Sequence, residues 1–178
     1  MTGKQRRKSR LIFVLGGAAS GKSQAALDLA GLAGPRAFVA TGQALDREMT
    51  VRIERHQATR SPDWETAEVS TDLAQWFTCK GITYQSIVLD CLTLWLSNMK
   101  ALRLPDGDVV EATANLLRAI RATKARVVIV SNELGLGLVP ATKSVRAFRD
   151  LAGKVNQQVA AEADEVYLTV SGLPLRVK

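Results

Sequence analysis

The 178-residue chain is poor in the residues that most often carry chemistry: it has two cysteines, Cys79 and Cys91, and a single histidine, His56. Neither cysteine has metal-ligand spacing, and so sparse a pair argues against a disulfide scaffold. Cys91 stands in a strongly apolar run and is expected to be a small core residue, with Cys79 a bystander near a loop. No window of apolar residues reaches bilayer-spanning length, so no stable membrane insertion is expected. The opening segment, Met1 to Arg10, is basic and polar and lacks the apolar centre of a signal peptide. It reads as a short disordered basic arm (1–10) before one domain (11–178), in a cytoplasmic protein. No internal repeat, low-complexity linker or domain boundary interrupts that domain.

What is present suits a single core, since 47% of the residues are hydrophobic. The formal net charge of +7 raises the question of nucleic acid. Much of the excess lies in the arm, in Lys4, Arg6, Arg7, Lys8 and Arg10, and no aromatic-interleaved basic stripe follows. A polyphosphate ligand explains such a balance as well as a nucleic acid does, and no nucleic-acid partner is expected.

The most informative stretch is Gly16-Gly17-Ala18-Ala19-Ser20-Gly21-Lys22-Ser23. It follows the apolar run 11–15 directly and leads into Gln24-Ala25-Ala26-Leu27-Asp28-Leu29-Ala30, which has helical spacing. Strand, glycine loop and helix form the setting in which a G-x-x-x-x-G-K-S pattern reads as a P-loop. Glycines let backbone N–H groups turn toward an anion, and the new helix adds its positive end. Lys22 supplies a point charge for the outer phosphates, and the Ser23 hydroxyl can sit on a magnesium ion. The alternative is a glycine-rich turn with a surface lysine.

Strands are expected at 11–15, 37–41, 64–69, 86–90, 127–130, 166–170 and 175–177. Helices are expected at about 23–32, 45–57, 72–77, 92–101, 108–123 and 148–163. In the second helix Leu45, Met49 and Ile53 recur on one face. Gly34-Pro35 breaks the first helix, and Ser171-Gly172 turns into a last, antiparallel strand. The run Val127-Val128-Ile129-Val130 suits a central parallel strand. Together these features predict an α/β fold of the P-loop nucleotide-binding type, a mainly parallel sheet flanked by helices with a C-terminal antiparallel hairpin strand.

Asp90 ends an apolar strand, where an acid in a P-loop protein holds magnesium or its water shell; the alternative is an N-cap for the helix that follows. On a continuing helix His56 lies in one cationic stripe with Arg52 and Arg60, four residues to either side. Such charges lower an imidazole pKa and keep it neutral, as a nucleophile must be; a lone histidine can equally be incidental. The loop from Asn132 to Pro140 stands at a strand's carboxyl end, where a second substrate could sit, or is a long surface loop. Arg146, Arg149 and Asp150 fit a solvated face nearly as well as a site.

Further motifs resemble one family in order: Arg52-Ile53-Glu54-Arg55-His56, Trp64-x-Thr66-x-x-Glu68, Val88 through Asn98, Val130 through Pro140, Phe148 through Gln157, and Ala163 through Pro174. From about Leu11 onward the chain resembles the bifunctional adenosylcobinamide kinase/adenosylcobinamide-phosphate guanylyltransferase family of cobalamin biosynthesis. The resemblance implies phosphorylation of adenosylcobinamide by a nucleoside triphosphate. It also implies transfer of GMP from GTP, through a histidine, to the adenosylcobinamide phosphate. It assigns catalysis to His56 and Lys22. It assigns nucleotide contacts to Gly16, Gly17, Ala18, Ala19, Ser20, Gly21, Lys22 and Ser23, to Val39, Ala40 and Thr41, to Gln57, Ala58, Thr59 and Arg60, and to Glu68 and Asp90. Magnesium is expected on Ser23 and Asp90, GTP and ATP are the expected substrates, and a homotrimer is implied. Ala19 and Gln57 stand where the family often carries arginine. Competing readings are a small-molecule P-loop kinase without guanylyl transfer, and a nucleotide-regulated or nucleic-acid-binding module.

Overall fold

The apolar runs of the sequence assemble into one sheet of seven strands, in a computed structural model that describes residues 9–44, 47, 50–51 and 61–178. The strands are β1 (Arg10–Gly16), β2 (Arg36–Ala40), β3 (Trp64–Glu68), β4 (Ser86–Asp90), β5 (Arg126–Asn132), β6 (Glu165–Val170) and β7 (Leu173–Arg176). Their order is β3-β2-β4-β5-β1-β6-β7, parallel throughout except for the β6–β7 hairpin. The helices are α1 (Lys22–Ala30), α2 (Leu73–Cys79), α3 (Leu92–Ala101), α4 (Asp106–Ala122) and α5 (Lys143–Glu162). Among the described residues no helix is long and apolar enough to cross a membrane.

Both faces of the sheet are covered, which is why its central strands read as continuous apolar runs. Successive residues of β1 point to opposite sides. Leu11 and Phe13 join the larger cluster, with Leu92, Leu96, Leu116, Ile120, Val155 and Val159 from α3, α4 and α5. Ile12 and Val14 join the smaller one, against Ala25, Ala26 and Ala30 of α1. Small alanines let α1 lie close on the sheet, and Val88, Cys91, Val128 and Val130 in the same cluster carry its footprint across β5 to β4. Cys91 is buried and Cys79 exposed.

The predicted elements differ from the observed ones mainly at their ends. β1 begins at Arg10 rather than Leu11, and α1 stops at Ala30, where Gly31 takes a φ of 74°. α4 starts two residues early, at Asp106, with Asp106 and Asp108 in a first turn that favours acids. α5 starts at Lys143 instead of Phe148, because the Thr142 hydroxyl accepts from Val145 N (3.4 Å) and caps it. That added turn is solvent-exposed and carries no apolar periodicity to betray it. The arm at 1–8 and most of the predicted 45–57 helix lie outside the described residues; positions 47, 50 and 51 are helical.

At the amino edge of the sheet a charged network ties the first strand to the last two. The Glu165 carboxylate, nearly buried, accepts from Arg10 Nε (2.7 Å) and Tyr167 Oη (2.8 Å), and Arg176 stands 3.7 Å away. Burial alone would raise the Glu165 pKa, but the hydrogen bonds from Tyr167 and Arg10 and the charges of Arg10 and Arg176 outweigh it and lower it. A carboxyl with a depressed folded pKa stabilises above its unfolded value of 4.5 and loses that contribution as pH falls through the folded value. Glu165→Gln is therefore expected to cost about 1–2 kcal/mol at pH 7. Denaturant unfolding at stepped pH should find the gap between variant and wild type closing below pH 4.5; a gap independent of pH would contradict this account.

Candidate functional site

The carboxyl edge of the sheet gathers the candidate residues. β1 ends at Gly16, where a Cβ would lie 2.4 Å from Ser20 Oγ and 2.7 Å from Thr169 O; only glycine admits the loop folding back so closely. The loop then turns with Ser20 N donating to Gly17 O (3.3 Å) and with Ala19 at φ 54°. Gly21 takes φ 90° as the N-cap of α1, and a Cβ there would lie 2.9 Å from Gly172 Cα. The β6–β7 turn braces the loop from behind, since Gly172 N donates to Ser20 O (2.8 Å).

No side chain among the described residues caps the first turn of α1, and that turn contains no acid. The positive end of the helix dipole thus faces no acid of its own turn and suits an anion. Gly17, Ala18 and Ala19 are exposed, so the backbone of the loop is open to a ligand. Lys22 is 9% exposed, and its Nζ donates to Gly17 O (2.7 Å) across the loop. Ser23 is half-buried in the same turn.

Strand register lines up Glu68, Ala40 and Asp90 across β3, β2 and β4. Glu68 is exposed, Ala40 and Asp90 are half-buried, and Val39 is fully buried in the core. The buried Thr41 hydroxyl donates to Cys91 O (2.7 Å) and accepts from Cys91 N (2.9 Å), while Thr41 O accepts from Asn98 Nδ2 (2.9 Å). Thr41 therefore joins the ends of β2 and β4. The N-cap position of α3 is Cys91, without a side-chain cap bond, so Asp90 does not act as that cap. The Cys91 thiol reports the local field. Its pKa is pushed up to about 11, by burial first and then by the Asp90 charge, with Lys22 pulling the other way.

Among the described residues Ser23 brings a hydroxyl and Asp90 and Glu68 bring carboxylates to this edge. No group of three or more His, Cys, Asp or Glu residues forms a cage among the described residues. So sparse and oxygen-only a set fits magnesium, which keeps waters and takes substrate phosphates as ligands. His56 and its flanking Arg52, Gln57, Ala58, Thr59 and Arg60 lie outside the described residues.

On the opposite face from α1 the loop after β5 and α5 line an open cavity of about 710 Å³. Its wall includes Leu15 and Glu133, and Glu133 N donates to Gly16 O (3.0 Å), which ties the cavity wall to the start of the P-loop. Arg149 and Asp150 line it, paired at 3.7 Å, whereas Arg146 donates to Pro140 O (2.9 Å) and Ala141 O (2.7 Å) and holds the loop. Asn156 and Gln157 line it too, though neither has a role in the sequence reading. The available signal was an amide, Asn156, within the apolar helix face formed by Leu151, Ala152, Val155 and Val159.

The family model for cobinamide kinase/cobinamide phosphate guanyltransferase matches residues 12–177. The bifunctional adenosylcobalamin biosynthesis protein CobU of Salmonella typhimurium is 38% identical over 94% of this chain and 99% of its own length. CobP of Pseudomonas aeruginosa, of the same description, is 39% identical over 93% of this chain and 96% of its own. Among solved structures, a KaiC-like protein of Pyrococcus horikoshii superposes with TM-score 0.51 at 13% identity, over 90% of this chain and 71% of that one. The P4 protein of bacteriophage phi6, solved with ADP, gives TM-score 0.50 at 17% identity, over 98% and 56%. At such identities the structural likeness concerns the fold alone.

Gly21→Ala places a Cβ against the Gly172 backbone at a left-handed φ and is expected to destabilise the protein by about 1–3 kcal/mol. It should also loosen nucleotide binding by about tenfold, because the brace on the loop is lost. Thermal melts and nucleotide titration check both. Gly17→Ala, whose Cβ would meet no described atom within 4 Å, is the stability control.

Proposed function

The chain belongs to the cobinamide kinase/cobinamide phosphate guanyltransferase family, and on that premise we propose that it catalyses both reactions, passing GMP through His56. The carrying observation is the uncapped first turn of α1 beneath an open glycine loop, a seat for a triphosphate.

In the kinase step the aminopropanol hydroxyl oxygen of adenosylcobinamide attacks the γ-phosphorus. The bond to the β-phosphate oxygen breaks, the nucleoside diphosphate leaves, and the hydroxyl proton passes to water. Little covalent work falls to the protein; its contribution is in-line positioning and charge stabilisation by the loop N–H groups and Lys22. In the transferase step the neutral His56 imidazole attacks the α-phosphorus of GTP. A P–N bond forms and pyrophosphate leaves. A phosphate oxygen of adenosylcobinamide phosphate then attacks the same phosphorus and breaks the P–N bond, restoring His56 and giving adenosylcobinamide-GDP. Splitting one transfer into two lowers the barrier of each. Arg52 and Arg60, spaced four residues to either side, support a neutral imidazole at pH 7. Magnesium, when bound, neutralises charge developing on the phosphates, and Ser23 and Asp90 would hold it or its waters. ATP and GTP both serve the reading as nucleotide substrates.

We also place the enzyme in the cytoplasm as a homotrimer. Leu173 and Leu175, 69% and 55% exposed on the edge strand β7, support self-association.

With α-labelled GTP and Mg²⁺, label should remain on the denatured protein, survive base, leave in acid and map to His56. His56→Ala should lose GMP transfer completely and keep some phosphorylation of adenosylcobinamide; retained GMP transfer would overturn the assignment. Asp90→Asn, a poorer ligand for a hard cation, should raise the Mg²⁺ requirement by about 10–100-fold. An unchanged magnesium titration would remove Asp90 from the metal's surroundings.

A further inference from the structure

We propose that the cavity between the loop after β5 and α5 binds the corrinoid acceptor by its neutral, carboxamide-bearing edge; the inference rests on the family reading above and names a site for its second substrate. Position is the first argument. The cavity is lined by Leu15 and Glu133, and Glu133 N donates to Gly16 O (3.0 Å) at the start of the P-loop. A macrocycle seated there needs to extend only its aminopropanol arm across Gly16 to meet a phosphate on the loop.

Charge is the second. The cavity lining carries Glu133 and Asp150 against Arg149, two acids and one base, for a net of −1. The P-loop offers Lys22 and the positive end of α1. A triphosphate is repelled by the first and drawn to the second, whereas a neutral ligand is indifferent to the sign and can use both donors and acceptors.

The third is an unmet hydrogen bond. Asn156 is 5% exposed, and its Nδ2 donates to Asn132 O (3.1 Å). Its Oδ1 is buried at the cavity wall with no partner among the described residues. Buried acceptors are almost always satisfied, so this one calls for a donor beyond the described residues. The primary carboxamides around a corrin ring supply such donors, and their carbonyls can take the Arg149 guanidinium and the Gln157 amide in return.

Shape and apolar surface complete the match. Gly153, inside α5, lines the cavity, and a Cβ there would meet no described atom within 4 Å, so that stretch of wall is bare. Val139 of the lining is 71% exposed, an apolar surface suited to the methyl-bearing edge of the ring. About 710 Å³ lies in the range of small-molecule sites and holds an edge of the macrocycle, with the remainder lying over the rim.

Gly153→Leu fills the cavity from a helix that accepts leucine better than glycine, so folding should survive; a melt at or above the wild-type Tm checks it. Val139→Ser alters only an exposed lining residue and serves as the second variant. Cobinamide binding is read by calorimetry and its KM from the kinase assay, with nucleotide Kd measured alongside. Each variant is expected to weaken cobinamide binding and raise its KM, Gly153→Leu by about tenfold or more, with nucleotide Kd within about twofold. Cobinamide Kd and KM unchanged in both variants would overturn the proposal while the family reading stands. Wild-type protein that binds cobinamide but does not phosphorylate it would sink the functional reading, and the calorimetric comparison would still decide the site.

Discussion

The carboxyl edge depends on one helix end being left uncapped. The N-cap of α1 is Gly21, which has no side chain to cap it, and the first turn holds no acid. Elsewhere a serine, threonine or aspartate would close such an end, as Thr142 does for α5. Leaving it open costs stability unless an anion arrives, and the surroundings are built to tolerate that. Alanines at positions 25, 26 and 30 seat the helix tightly on the sheet, Lys22 is buried with its amine on Gly17 O, and the β6–β7 turn braces the loop through Ser20 O. A stretch that local energetics would fray is held by packing on three sides.

Sheet topology then sets what can meet that helix end. β5 stands between β1 and β4, so the end of β4 is two strand spacings, roughly 10 Å, from the end of β1. The chain leaving β1 turns toward the α1 face, and the chain leaving β5 turns toward the α5 face. Gly16, bonded to Glu133 and crowded by Ser20 and Thr169, ties the P-loop to the loop after β5. A transfer between two substrates fits such an arrangement, because each can be recognised on its own side without sharing a pocket.

Much of this was legible in the residues. The strands at 86–90 and the helix at 92–101 have the predicted bounds, since both are short, apolar and bordered by abrupt changes of character. The P-loop was legible because its chemistry is local: glycines where the backbone must turn, a lysine and a hydroxyl at the helix start. The early starts of α4 and α5 were not, because exposed first turns carry caps rather than periodicity. Thr41 and Asn98 drew no structural role from the sequence, yet they fasten β2 to the region after β4 through bonds spanning 50 and 57 residues. The environment of Arg149 was undecidable from sequence, because a charged residue on a helix has the same spacing beside a cavity as beside solvent.

What the sequence determined by itself was the set of elements and the anion-binding turn, because hydrophobic period and glycine placement act within a few residues of chain. What only the tertiary structure decided was the order of strands, the brace of Gly172 on Gly21, and the cavity with an Asn156 oxygen that has no partner among the described residues. Those depend on which surfaces are buried against each other across long stretches of chain, and burial turns an ordinary amide into a group that requires a partner.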